Sequence, residues 1–147
     1  YLKLWEGLSI AGKIPRPGQK CLELGASPGG WTWVLARTGA HTLAVDRSPL
    51  ALHSMPGVEF LAADAFQMKP ERAGPVDWLF SDLICYPEKL LEFIKVWLAS
   101  GLAGNYFCTI KFQGEPDPAI IAEFQKIGRV IHLRNNKHEL TWLRLAD

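Results

Sequence analysis

From Lys20 to Trp31 the sequence reads Lys-Cys-Leu-Glu-Leu-Gly-Ala-Ser-Pro-Gly-Gly-Trp: a short apolar run breaks at Gly25 into a glycine-rich turn and then opens a helix. Few folds accept this succession. Glycines at 25, 29 and 30 carry no Cβ, so the backbone can pass close to a ligand, and N–H groups of the turn and helix start can receive an anionic group. The spacing G-x-x-x-G-G lacks the G-x-G-x-x-G of pyrophosphate-binding dinucleotide sites and the G-K-[ST] of a P-loop, which favours a ligand without a pyrophosphate. Asp46 closes the next apolar run, 21 residues after Gly25, where a carboxylate accepts hydrogen bonds from ribose hydroxyls. A tight strand-to-helix connection with no ligand leaves the same trace, so the other strand ends have to decide.

The same punctuation recurs along the chain. Runs at Lys20 to Leu24, His41 to Val45, Val58 to Ala62, Val76 to Phe80 and Tyr106 to Ile110 predict five strands. Helices are expected over residues 2 to 8, from Trp31 to Thr38, and from Pro87 to Gly101 with Leu90, Leu91, Ile94, Trp97 and Leu98 on one face. A further helix is expected after Asp117 as N-cap and Pro118 at the first position, with Gly128 as its C-terminal cap. Gln67 to Gly74 reads as a polar loop. Val130 to Leu133 and Leu140 to Leu145 are separated only by Arg134 to Glu139, too short for a crossover helix, so they form a hairpin. The result is an α/β fold: a doubly wound, mostly parallel seven-stranded sheet with an antiparallel last strand.

With 147 residues, 48% of them hydrophobic, the chain suits one domain spanning residues 1–147. It begins at Tyr1 rather than methionine, which suggests a piece of a longer protein with a preceding domain. No run of about 18 uncharged apolar residues and no basic-then-apolar leader is present. Cys21, Cys85 and Cys108 are odd in number and far apart, as reduced thiols of a cytoplasmic protein would be. His41, His53, His132 and His138 are scattered and read as structural or solvated, and no spacing suggests a metal. The net charge of +1 leaves the partner undecided. Among the six tryptophans, Trp78 and Trp97 read as core, while Trp5 and Trp31 stay open between core and base stacking.

In a parallel sheet all strand C-termini share one edge, and Gly25, Asp46, Asp64, Asp82 and Lys111 each follow a successive strand. The reversed last strand starts at that edge with Glu139. Charges at nearly every strand end concentrate the cost of partial burial in one place, as an active site does. Gly25-Ala-Ser-Pro-Gly-Gly-Trp31, Ser81-Asp82, Ile110-Lys111-Phe112-Gln113-Gly114 and Glu139 together resemble the FtsJ-type, S-adenosylmethionine-dependent RNA 2'-O-ribose methyltransferases. The resemblance covers nearly the whole chain, and in Val45-Asp46, Pro75-Val-Asp-Trp78 and the segment after Asp82 it is strongest to the RlmM-like large-subunit rRNA cytidine methyltransferases.

The resemblance implies a Rossmann-like class I methyltransferase fold and a catalytic tetrad of Lys3, Asp82, Lys111 and Glu139. It implies S-adenosylmethionine as cofactor, held by Gly25, Ala26, Ser27, Pro28, Gly29, Gly30, Trp31, Asp46, Asp64 and Asp82, with Asp46 on the ribose and Asp64 near the adenine amine. RNA, and ribosomal RNA in particular, is the implied acceptor. Many family members have Asp-Met-Ala-Pro where this chain has Asp82-Leu-Ile-Cys-Tyr86, so the substrate-side loop departs from the pattern.

The transfer requires a ribose 2'-oxygen about 3 to 3.5 Å from the methyl carbon, in line with its bond to sulfur, and a group to take the proton. Lys111 is the candidate, as base or as cationic stabiliser of the alkoxide. Residues 134–138 read either as a phosphate-holding hairpin or as a solvated turn. The near-neutral charge suits a protein whose RNA affinity resides in an N-terminal RNA-binding domain. Two rivals remain: a non-catalytic cofactor- or RNA-binding module, and a nucleotide-dependent oxidoreductase, which the absent G-x-G-x-x-G opposes.

Overall fold

The computed structural model describes residues 1–51 and 54–147, and the reading of His53 lies outside them. Seven strands among the described residues form one sheet: β1 (Lys20–Leu24), β2 (His41–Asp46), β3 (Val58–Ala62), β4 (Val76–Ser81), β5 (Ala103–Lys111), β6 (Arg129–Ile131) and β7 (Glu139–Arg144). Their order is β3-β2-β1-β4-β5-β7-β6. Strands β1 to β5 pair in parallel, and β7 is antiparallel to both of its neighbours. The expected hairpin is thus present, with β7 inserted between β5 and β6. From β1 the chain steps outward to β2 and β3, then returns to β4 on the other side. That reversal opens a crevice at the C-terminal ends of β1 and β4.

Alternation along the strands divides the core into two layers. Cys21 of β1, Trp78 and Phe80 of β4 and Phe107 of β5 face Leu4 and Leu8 of α1 (Leu2–Ala11) and Val34 and Leu35 of α2 (Gly30–Arg37). Leu22, Leu24, Leu79, Tyr106 and Cys108 face the other way. There they meet Leu90, Ile94 and Trp97 of α4 (Pro87–Ser100) and Ile120 and Phe124 of α5 (Pro118–Ile127). Trp78 and Trp97 are fully buried, as expected. Trp31 is buried too, set edge-on against Phe107 at 5.4 Å, and Trp5 packs half-buried on the same cluster. Among the described histidines, His41, His132 and His138 are exposed.

One local expectation changes, and one glycine keeps its place for a second reason. The stretch read as a polar loop, Gln67 to Gly74, starts on the last residue of a 3₁₀ turn (Ala65–Gln67) and carries a one-turn helix α3 (Pro70–Ala73). Proline at its first position fixes φ, and buried Met68 takes the Trp97 indole N–H on its carbonyl at 3.2 Å, tying the segment to α4. Gly128 closes α5 as expected, but in extended backbone, with φ 179°. Glycine is required there for space: a Cβ would lie 2.4 Å from Trp142 Nε1. No helix among the described residues is long and apolar enough to cross a membrane.

Candidate active site

The tetrad residues come from four elements and meet at one edge. Lys111 is the last residue of β5 and Glu139 the first of β7, and the antiparallel register sets them directly opposite. Asp82 follows β4, held by its N–H on the Leu24 carbonyl at 3.0 Å. Lys3 reaches the same point from the first turn of α1. Its Nζ donates to Asp82 Oδ1 at 2.9 Å and to Glu139 Oε1 at 2.6 Å. Lys111 Nζ donates to the Asp82 carbonyl at 2.9 Å and lies 3.3 Å from Asp82 Oδ1. Two cations thus share one carboxylate, while Glu139 binds only the Lys3 side. The Lys3 ammonium also lies 5.4 Å from the centroid of Trp31, so this tryptophan serves the site from beneath.

Beside the tetrad a cleft of about 430 Å³ is lined by Gly25, Ser27, Asp46, Asp64, Phe66, Asp82, Leu83 and Lys111. A smaller lobe of about 270 Å³ continues past Gly25 to Lys3, Glu23, Pro28, Gly30 and Trp31. The turn is built for this close approach. Gly25 has φ +78°, and a Cβ on it would lie 3.2 Å from the Asp82 carbonyl and from Leu83. Its donors are committed otherwise than expected: the Gly25 and Ala26 N–H groups both go to the Val45 carbonyl, and the Ser27 N–H goes to Asp46 Oδ2. The turn therefore anchors β2 and aims Asp46, rather than offering those three donors to a ligand. Asp46 Oδ1 takes the Ser48 N–H at 2.9 Å, and lone pairs of both oxygens remain for hydroxyl donors. Asp64 caps the 3₁₀ turn by accepting from the Phe66 N–H at 3.0 Å, and Arg47 sits on its other oxygen at 3.0 Å. The Phe66 amide, followed by Arg47, holds the Asp64 carboxyl below the usual carboxylate range.

Glu23 belongs to the site and was not singled out by the sequence. On an alternating strand it occupies an ordinary inward position. It is 1% exposed, accepts the Thr32 hydroxyl at 2.6 Å, and burial, reinforced by Asp82 and Asp46, pushes its carboxyl up to about 8. Between its ordinary value of 4.5 and about 8 the folded chain therefore holds a proton that the unfolded chain releases. Stability from this group is complete below the lower value and is lost as pH rises through the upper one. Glu23→Gln should flatten that slope, so the thermal midpoint of the wild type falls more than the variant's between pH 6 and 9. Parallel midpoints across that range would remove Glu23 as the cause.

The FtsJ-like methyltransferase family model matches residues 1–139, and the chain belongs to that family. The ribosomal RNA large subunit methyltransferase M of Xanthomonas oryzae pv. oryzae is 41% identical over 100 residues, 67% of this chain and 28% of the relative. Its counterpart in Alkalilimnicola ehrlichii is 41% identical over 98 residues, 65% of this chain and 27% of that protein. The aligned stretch thus spans little more than a quarter of these relatives. Among solved structures, Aeropyrum pernix fibrillarin with natively bound S-adenosylmethionine superposes over 97% of this chain and 74% of its own, with a TM-score of 0.69 and 19% identity. Magnesium protoporphyrin IX methyltransferase from Synechocystis, also with that ligand, covers 99% and 77%, with a TM-score of 0.67 and 19% identity. At such identities these structures speak to the fold, a Rossmann-like methyltransferase architecture.

Proposed function

We propose that this crevice binds S-adenosylmethionine and that the tetrad directs its methyl group to a ribose 2'-hydroxyl of RNA, with large-subunit ribosomal RNA as the acceptor. The observation that carries the reading is the convergence of Lys3, Asp82, Lys111 and Glu139 within hydrogen-bond reach, at the rim of a cleft holding Asp46 and Asp64. The donor set suits the cofactor: three carboxylates, Asp46, Asp64 and Asp82, line the cleft, as a cationic sulfonium with an ammonium group requires. Bound S-adenosylmethionine supplies an electrophilic methyl.

The chain does the rest. Asp46 would accept the cofactor's ribose hydroxyls, and Asp64 its adenine amine. Lys111 Nζ, less enclosed by carboxylates than Lys3, would take the 2'-hydroxyl proton or stabilise the alkoxide. Lys3 and Glu139 would fix Asp82, which in turn holds Lys111. On the acceptor side Ile84 and Tyr86 stand 89% and 62% exposed on the loop after Asp82, apolar surface suited to a nucleobase. The three free cysteines fit a cytoplasmic setting. A preceding RNA-binding domain in a longer chain fits both the near-neutral charge and the short coverage of the relatives.

Calorimetric titration with S-adenosylmethionine, with NAD as a control, tests the cofactor half. The wild type should bind S-adenosylmethionine alone, and Asp46→Ala should weaken binding at least about tenfold, the loss of roughly one charge-assisted bond. No binding by a folded sample would favour the non-catalytic module.

A further inference from the structure

The connection between β6 and β7 reads in sequence as a run of polar residues, Arg134-Asn-Asn-Lys-His138, yet one member is buried. Asn136 is 6% exposed, whereas Arg134, Asn135, Lys137 and His138 are exposed. Its Oδ1 accepts the Leu133 backbone N–H at 2.8 Å and the Thr141 hydroxyl at 3.3 Å. A backbone N–H can only donate, so the amide orientation is fixed and Nδ2 must face the other way. It faces Glu139, whose Oε1 lies 3.3 Å from Nδ2 and also takes the Lys3 ammonium.

The loop is itself fastened to α1. Glu6 Oε2 accepts the Arg134 N–H at 2.7 Å, and Oε1 accepts the Asn135 N–H at 2.9 Å and its side-chain amide at 2.8 Å. The Asn135 backbone N–H leads in holding the Glu6 carboxyl below its ordinary range. Glu6 follows Lys3 by three residues, so the two share one face of the helix. Helix α1 therefore grips the β7 entry twice: Lys3 holds Glu139 directly, and Glu6 holds the loop that sets Asn136 against the same carboxylate.

We propose that Asn136, braced by Glu6, is a positioning residue that fixes the Glu139 carboxylate on Lys3 and thereby sets the tetrad geometry. The inference rests on the tetrad reading above. The charged and titratable groups around Glu139 are Lys3 from α1, Lys111 as its cross-strand partner on β5, and Glu115, His132, Lys137 and His138, which line a cavity with it.

Asn136→Asp separates the two duties of the side chain. It keeps the acceptor for Leu133 and Thr141 but replaces the donor to Glu139 with a like charge. We expect the S-adenosylmethionine affinity to stay near wild type, while the thermal midpoint falls by several degrees because a second carboxylate is buried beside Glu139. The carbon-13 resonance of the Glu139 carboxyl should move away from its wild-type position, because its amide donor is lost and a like charge takes its place. Methyl transfer to large-subunit rRNA transcribed in vitro should lose at least about tenfold in kcat, with KM for the RNA little changed. An unmoved Glu139 resonance with unchanged kcat overturns the proposal. A wild type that methylates no RNA overturns the functional reading instead, while the Glu139 resonance still decides the positioning. Should that variant unfold, Glu6→Gln, which loosens the loop without touching Asn136, must give the same kcat loss in smaller degree, and its absence would reject the brace.

Discussion

Lys111→Met is expected to abolish methyl transfer to RNA, with a loss of at least about a thousandfold in the single-turnover rate, the range associated with a positioned proton acceptor. Affinity for S-adenosylmethionine should remain within about threefold of wild type, because charge alone is removed at the rim of the cleft and packing is kept. Methionine matches the length of the lysine stem but offers neither an amine nor a cation. The structure predicts that the site survives the change. Asp82 keeps its 2.9 Å bond to Lys3, its N–H stays on the Leu24 carbonyl, and Glu139 remains on Lys3. Deficient turnover in a folded, cofactor-binding protein would then be a defect of chemistry. Turnover near the wild-type rate would remove Lys111 from the reaction and leave Lys3 as the remaining amine. Lysine-to-arginine exchange sharpens the question, since Lys111→Arg retains a cation that cannot deprotonate. Activity in that variant would favour stabilisation of the alkoxide, and inactivity would favour the base.

What the sequence makes legible follows from where physical constraints are local. Strand ends are marked by a change from apolar to charged residues, so Asp46, Asp82, Lys111 and Glu139 can be placed at one edge before any coordinates exist. The reversal of β7 follows from the shortness of residues 134–138, and with it the pairing of Lys111 with Glu139. Lys3 is different. Nothing in its surroundings marks it, and only the family resemblance points to it. Glu23 and Asn136 are hidden for a common reason: each has polar chemistry whose partner is remote or on another element. Glu23 meets Thr32 across the sheet-to-helix layer, and Asn136 meets Glu139 across the loop. Burial of a polar side chain is a tertiary fact, and a run such as 134–138 looks solvated residue by residue. Gly128 closes its helix as the sequence indicates, but its second duty, making room for the Trp142 indole, depends on a partner that the local sequence does not show.

Gly25→Val should produce the second large effect, and a matched glycine isolates its cause. Gly25 and Gly101 have nearly equal backbone angles, φ +78° and +68°, both in the region that β-branched side chains resist. Each substitution therefore costs about 1–3 kcal/mol of strain, or a fall of several degrees in thermal midpoint. Their surroundings differ completely. A Cβ at Gly101 meets nothing within 4 Å, whereas one at Gly25 lies 3.2 Å from the Asp82 carbonyl carbon, its oxygen and Leu83. That carbonyl is the acceptor holding Lys111 Nζ at 2.9 Å, so displacing it disturbs the tetrad and narrows both lobes of the crevice. We therefore expect Gly101→Val to lose stability alone, with cofactor affinity and turnover near wild type. Gly25→Val should lose more stability than Gly101→Val, together with at least about a hundredfold in S-adenosylmethionine affinity, equivalent to roughly 2.7 kcal/mol, and all detectable transfer. Calorimetry on the two variants side by side reads the difference. Equal binding by both would mean that Gly25 serves only the backbone turn, and the crevice between β1 and β4 would no longer be the place where the ligand lies against the chain.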